Sequence, residues 1–358
     1  MSINVPLIRR SLWRLLSNRA IGELCEKEWI IAPACVTNTR PALYLPGSLD
    51  RITASSATST LELEMRRIKG GRTEHAATIA RSLTDAVLCD GYIYKKAGKI
   101  AMSIKKEKFF IDAPPPDEKK ELAVVACGLT DIQFFGHWMT DGIPLLMAAR
   151  ELGPPVRNSE PLTGHQQEYL SMLNLAYDPF QCGTIDKLIV LEDYGQNEYK
   201  KERYRTIRTR LREFGPKTTC PGALLLRGTS GKITPDANGN RRVLVNEHEI
   251  ATYLQSIGFR LIDSTKHSAR EIVENTLGAR IIIGVEGSQI PHGLFTMADK
   301  GALITILPPF HFNNVLKGQT DCMEMLYAFT VGEVCREGFI LPLDTLKKTL
   351  DLVAAHQQ

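Results

Sequence analysis

Residues 277–309, LGARIIIGVEGSQIPHGLFTMADKGALITILPP, constrain the fold more than any other part of the chain. An apolar, β-branched run over 280–283 stops at Gly284. A polar turn follows, Val285-Glu286-Gly287-Ser288-Gln289. A short apolar helix is predicted over 290–297, then Gly301 and a second buried run over 302–306. The pattern is strand, tight turn, helix, strand. Both runs are too continuous for a sheet with one wet face, so they suit parallel strands covered on both sides. Ligands of such sheets sit at the carboxyl ends of the strands. The turn at 284–289 is that end. Its glycines let backbone approach a ligand, and its N–H groups stand at a predicted helix start, which suits an anion.

The second half of the chain alternates in the same way. A strand is predicted over 223–226. A Gly-, Ser- and Asn-rich loop follows over 227–240, holding Arg227, Lys232, Arg241 and Arg242 near its ends. A helix over 246–256 starts at Asn246 with Glu249 three residues on, the offset of a capping box. A strand follows over 259–262, then a helix capped by Ser268 with Glu271 at the same offset. This βαβαβαβ order implies a parallel, Rossmann-like sheet. No GxGxxG is present, so a dinucleotide fingerprint is not supported. An amphipathic helix is predicted over 341–355.

The first half is less regular. Strands or hairpins are expected over 80–104 around a turn at Asp90-Gly91, and a buried strand over 122–126. A Pro-rich, charged break over 114–121 reads as surface. Residues 6–20 read as a basic amphipathic helix, packed on the body or lying on an anionic membrane. A basic run over 199–214 reads as a solvated linking helix. His137 and Asp141 stand four apart, so on a helix they share a face. A carboxylate beside a histidine fixes its tautomer and raises its basicity, as a general base requires. A structural hydrogen bond is the plainer reading of the same spacing. His75 and His165 have no such constellation around them.

A length of 358 residues accommodates two domains of ordinary size. The net charge of +4 is small for that length and argues against nucleic acid as a partner. The eight cysteines are widely spaced with no CxxC, so a reduced cytosolic protein with buried thiols is expected. No apolar run approaches the roughly 20 residues of a membrane span.

Two motif sets together resemble glycosyltransferase family 61. The first is His137-Trp138-Met139-Thr140-Asp141-Gly142-Ile143-Pro144, similar to HW-x-x-D-x-x-P. The second is a strand ending in Arg227, the run Arg241-Arg242-Val243-Leu244-Val245-Asn246-Glu247, and the loop Gly284-Val285-Glu286-Gly287-Ser288. Order and spacing match over roughly residues 120–310. Animal and plant members resemble G-x-H-G-A-x-L-x-N in the last motif. Here Glu286, Ser288 and His292 stand in the His, Ala and Asn positions, a form that looks like the bacterial branch.

The resemblance implies a GT-B-like α/β fold, two Rossmann-like domains with parallel sheets facing across a cleft. The expected divisions are a basic N-terminal helix (1–28), an acceptor-side domain (29–198), a linker helix (199–220), a nucleotide-sugar-binding domain (221–340) and a C-terminal helix (341–358). It implies inverting, metal-independent transfer of a hexosyl, N-acetylhexosaminyl or pentosyl group from a nucleotide sugar, usually UDP-linked. No other cofactor is implied. Bacterial relatives suggest surface or capsular polysaccharide biosynthesis, a glycan or lipid-linked glycan acceptor, and a cytoplasmic location, free or peripheral on the inner membrane. No two aspartates stand two apart as metal-dependent transferases require. Under the resemblance His137 is the base, oriented by Asp141. Arg227, Lys232, Arg242, Gly284, Glu286, Gly287, Ser288, Gln289 and His292 are the donor-site candidates. A sugar-nucleotide epimerase, or a non-catalytic binding or polysaccharide-assembly module on a degenerate transferase fold, are the competing readings.

Overall fold

The computed structural model describes residues 16–89, 91–95, 98–102, 118–157, 161–215, 220–227 and 241–357. The chain forms two compact units. The first draws on the chain up to Cys35, on His75–Thr163 and on Asn174–Arg203. The second draws on Val36–Glu74, Gly164–Leu173 and Tyr204–Gln358.

The first unit is built on one sheet. Its strands are β1 (Lys27–Ala32), β2 (Thr78–Cys89), β3 (Tyr92–Lys95), β4 (Gly98–Ala101), β5 (Glu118–Val125), β6 (Pro155–Arg157), β7 (Asp178–Pro179) and β8 (Cys182–Glu192). The order is β4-β3-β2-β8-β5-β6-β7, with β1 also on β2. Pairs β1/β2, β2/β3, β3/β4 and β2/β8 are antiparallel, while β8/β5, β5/β6 and β6/β7 are parallel. This sheet is mixed, so the expectation of parallel sheets in both domains is corrected here. The physical reason lies in the connections. Only two residues of sequence separate β2 from β3 and β3 from β4, and a parallel crossover needs a dozen residues or more. Gly91 takes the first of these turns at φ +76°. Leu83, Leu88, Ile93, Ala123, Val125, Val156, Ile185, Leu188 and Val190 form the core.

The expectation of eight thiols is also corrected. Cys89 and Cys182 form a disulfide, 93 residues apart in sequence. They are register partners on β2 and β8. Sheet pairing brings their Cα atoms to 4.2 Å, the spacing of directly opposed residues on neighbouring strands.

The main sheet of the second unit has five strands, β9 (Cys220–Leu226), β10 (Arg260–Asp263), β11 (Ala279–Val285), β12 (Ala302–Leu307) and β13 (Leu326–Val331). All pairings within this sheet are parallel, in the order β10-β9-β11-β12-β13. The parallel sheet read from the alternating pattern is present, extended by the buried fifth strand. Side chains alternate between two cores. Leu224, Ile281 and Ile283 pack with Ile250 and Leu254, and with Leu346 and Val353. Leu225 and Ile282 pack on the other face with Ile272, Ile290 and Leu294. This explains the unbroken apolar runs: both faces of the central strands are covered by helices.

Ser268 caps its helix, Ala269–Thr276, with Glu271 in a complete capping box. Asn246 does not cap Glu247–Ser256 with its side chain. That amide is spent on the backbone of Leu341, accepting its N–H at 3.0 Å and donating to its carbonyl at 2.9 Å. The helix after β11 is one turn, Pro291–Leu294, with proline in its first turn. So short a helix supplies little dipole for an anion, contrary to the reading of 290–297.

The basic run expected to be a wet linker is a helix, Glu198–Leu211, followed by a 3-10 turn, Arg212–Phe214. Its face is not wet: Lys200, Arg203 and Arg208 are buried. Acidic side chains and backbone carbonyls distant in sequence meet them. Arg208, for example, donates to the Phe295 and Met297 carbonyls and to Asp299. Of the predicted N-terminal helix, residues 6–15 lie outside the described residues. The part that is described is not helical, and Asn18 bridges to Lys99. The Asp90 position and residues 114–117 also lie outside the described residues, while 118–121 form the start of β5 rather than a break. No helix among the described residues is long and apolar enough to cross a membrane.

Candidate active site

In the first unit the His137 motif forms a short helical turn, Phe135–His137, a π-helical turn, Trp138–Gly142, and the helix Ile143–Leu152. The Ile143 N–H bonds back five residues to the Trp138 carbonyl. Pro144 has no N–H, so it cannot continue the usual ladder, and the widened turn stands just ahead of it. Trp138 and Met139 are buried and anchor the turn. Gly142 is required by space: a Cβ there would lie 2.6 Å from Asp131 Oδ2. Asp131 is itself buried and fixed by Arg157 at 3.1 Å and by the Gly128 N–H.

This turn presents His137 and Asp141 together. His137 Nδ1 lies 3.0 Å from Asp141 Oδ2. Lys200 Nζ donates to Asp141 Oδ1 at 2.9 Å and to the Asp193 carbonyl at 2.9 Å. Arg203 holds both Asp193 carboxylate oxygens at 2.8 and 2.9 Å and donates to the Pro144 carbonyl at 2.7 Å. Burial alone would raise the Asp141 pKa. The Lys200 charge and the His137 and Lys200 hydrogen bonds outweigh it and bring it down to about 2. The carboxylate is therefore ionised at neutral pH and only accepts hydrogen bonds. In the neutral imidazole the proton that faces this carboxylate is on Nδ1, which leaves Nε2 as the acceptor nitrogen. His137 is about one third exposed, at 33%. The arrangement delivers an oriented imidazole to a partly open surface. Sequence reasoning missed Lys200. The signal was present, because Lys200, Tyr204, Ile207 and Leu211 fall on one helical stripe and all are 0% exposed.

In the second unit the order β10-β9-β11-β12-β13 places a topological switch between β9 and β11, where such sheets bind ligands. Arg227 follows β9 and Glu286 follows β11. Arg227 Nη1 donates to the Glu286 carbonyl. Its backbone N–H donates to Glu247 at 3.0 Å, so two of the motif pieces meet. Gly287 admits this guanidinium, since a Cβ there would stand 1.8 Å from Arg227 Nη1 and 2.6 Å from Gln289 Oε1. Gln289 turns back to the Val285 carbonyl. Gly284 lies within β11, paired with Leu225 and Thr305, and is needed for close packing against Ile290. Ser288 is exposed at the tip of the turn.

The Glu286 side chain is buried among partners. Arg242 pairs with Oε2, His311 Nε2 lies 3.2 Å from the same oxygen, and Asn313 donates to Oε1 at 3.0 Å. Burial opposes its charge, but the His311 hydrogen bond and the Arg242 and Arg227 charges win and lower its pKa. His311 and Asn313, from the segment after β12, were not found by sequence reasoning. Their only signal was their place just past a strand's carboxyl end. Arg227 Nε is buried and makes no hydrogen bond among the described residues.

The remaining candidates fall elsewhere. His292 is buried, with Nδ1 2.9 Å from the Tyr169 hydroxyl and its ring edge-on to His165. Burial and the His165 charge bring its pKa down to about 3, so it is neutral. Lys232 lies outside the described residues. Among those described, no group of three or more His, Cys, Asp or Glu side chains is placed to hold a metal ion.

No curated protein matches the chain. The family model described as Glycosyltransferase 61 matches residues 135–304, just under half of the chain. The matched region opens at the His137 turn and closes in β12, and it supports a glycosyltransferase-type function for the chain.

Proposed function

We propose that the protein is an inverting glycosyltransferase of the bacterial branch of this family. It moves a hexosyl, N-acetylhexosaminyl or pentosyl group from a nucleotide sugar, UDP-linked, to a hydroxyl of a glycan or lipid-linked glycan in surface polysaccharide assembly. The observation that carries the donor site is the Arg227 Nε at the β9/β11 switch, buried and without a hydrogen-bond partner among the described residues. A buried guanidinium donor without a partner costs about 1–3 kcal/mol, and a phosphate oxygen would satisfy it. Arg227 and Arg242 receive the diphosphate, and charge developing on the leaving nucleotide is met by these cations rather than by a metal. Glu286, held by His311 and Asn313, accepts from sugar or ribose hydroxyls. Gly284, Gly287, Ser288 and Gln289 shape the backbone there, and Lys232 is a further candidate for the diphosphate.

His137 is the base. Its Nε2 takes the acceptor hydroxyl proton as the oxygen bonds to the sugar's anomeric carbon. The bond from that carbon to the phosphate oxygen breaks on the opposite side, and its electron pair leaves with the nucleotide. Asp141 fixes the tautomer. Phe134, exposed and 6.1 Å from the His137 ring centroid, offers an apolar face to the acceptor. The reaction belongs to the cytoplasmic side of the membrane, where nucleotide sugars are made.

Calorimetric titration with UDP, GDP, CMP and NAD in EDTA tests the donor assignment. UDP binding without metal is expected. Binding of NAD alone, or of none of the four, would overturn it in favour of a non-catalytic module.

A further inference from the structure

We propose that Lys200 is a positioning residue for His137, holding the Asp141 carboxylate in the one orientation that fixes the imidazole and balancing its negative charge. The Lys200 ammonium is fully buried, and its 2.9 Å contacts to Asp141 Oδ1 and the Asp193 carbonyl tie it to two segments. Each Asp141 oxygen then has its own assignment, Oδ1 to Lys200 and Oδ2 to His137. The carboxylate cannot turn without losing both.

The charge argument is independent of the orientation argument. The other charged groups packed around this pair are already matched: Asp131 with Arg157, and Asp193 with Arg203. Tyr194 is 79% exposed, and the nearby carboxylates push its pKa up, so it stays neutral. Asp141 and Lys200 are the remaining pair. A carboxylate at hydrogen-bond distance favours the imidazolium by roughly one to three pKa units when nothing balances it. With Lys200 in place part of that pull is offset, while both hydrogen bonds of the carboxylate still orient the ring. Lys200 exchanges no proton itself.

The inference rests on the reading of His137 as the base. The two fail separately, because His137 can be followed by proton NMR of its ring Cε1–H, assigned with His137→Gln, in the absence of turnover. In Lys200→Met the midpoint of the His137 titration is expected about one unit higher than in the parent protein. The acid limb of kcat/KM for transfer should move the same way. A folded Lys200→Met protein with an unmoved midpoint overturns the role of Lys200, whatever its activity. Should that variant fail to fold, Lys200→Gln, which keeps a donor in the cavity, takes the same measurement with the same two outcomes. Parent-level activity in folded His137→Ala ends the base reading instead, and leaves the NMR result standing.

Discussion

The surroundings of His137 and those of Glu286 are both built from ionised side chains, but they are completed differently. Behind His137 the three carboxylates, Asp131, Asp141 and Asp193, each have a buried cation: Arg157, Lys200 and Arg203. What this network leaves open is one imidazole nitrogen. Around Glu286 the carboxylate is satisfied by Arg242, His311 and Asn313, while the neighbouring Arg227 keeps a buried donor with no partner among the described residues. A closed network positions a group that acts without holding much. An incomplete one is suited to holding a ligand. The comparison therefore separates a chemical role from a binding role.

Substitutions should respect that separation. His137→Ala should lower kcat by about 10²–10⁴-fold, the range for a lost general base, with nucleotide affinity unchanged. Equal losses in kcat and in nucleotide affinity would erase the distinction. Arg227→Ala should weaken nucleotide binding by about 10–100-fold, as loss of a charge-assisted hydrogen bond of about 1.5–3 kcal/mol implies. Gly287→Ala tests the same point without removing the guanidinium. Its added Cβ occupies the space of Arg227 Nη1. It should weaken binding in the same direction by less, because the guanidinium can shift rather than vanish. Parent-level affinity in Gly287→Ala, measured by calorimetry, would detach Arg227 from the nucleotide.

The two regions also differ in how far the sequence exposed them. The parallel unit was legible because its strands are covered on both faces, which leaves unbroken apolar runs such as 280–283. The Ser268 cap was legible because both its members lie within one turn. His137 and Asp141 were legible as a pair because helical spacing alone places them together. Partners from distant segments were not. Lys200 meets Asp141 across 59 positions, so its helical stripe with Tyr204, Ile207 and Leu211 could mark it as inward but could not name its partner. Cys89 and Cys182 meet only because β2 and β8 pair in that register. His311 and Asn313 became site members only once the strand order had placed their segment beside Glu286. The mixed sheet was concealed because short hairpin strands and short parallel strands have similar composition.

Acid sensitivity separates the two carboxylates at the smallest scale. Asp141 is held at about 2, below the ordinary carboxylate range, by Lys200 and His137 against the opposing effect of burial. A folded-state pKa below the unfolded value stabilises the fold above the unfolded pKa. That stabilisation is lost as pH falls through the folded value. The Asp141 contribution is thus complete above about pH 4 and declines toward pH 2. Asp141 is 34% exposed, so solvent screening discounts it to about 1 kcal/mol or less. Asp141→Asn should therefore flatten the fall of Tm between pH 4 and 2, and change little of its shape at neutral pH. Glu286→Gln should flatten the curve in the same sense, because that carboxylate is also held below its ordinary range. Bound nucleotide should alter the Glu286→Gln difference and leave the Asp141→Asn difference as it was. Scanning calorimetry with and without UDP reads both. If UDP changed the two differences equally, the Asp141 cluster would be part of the ligand site, and the division between positioning and holding would fail.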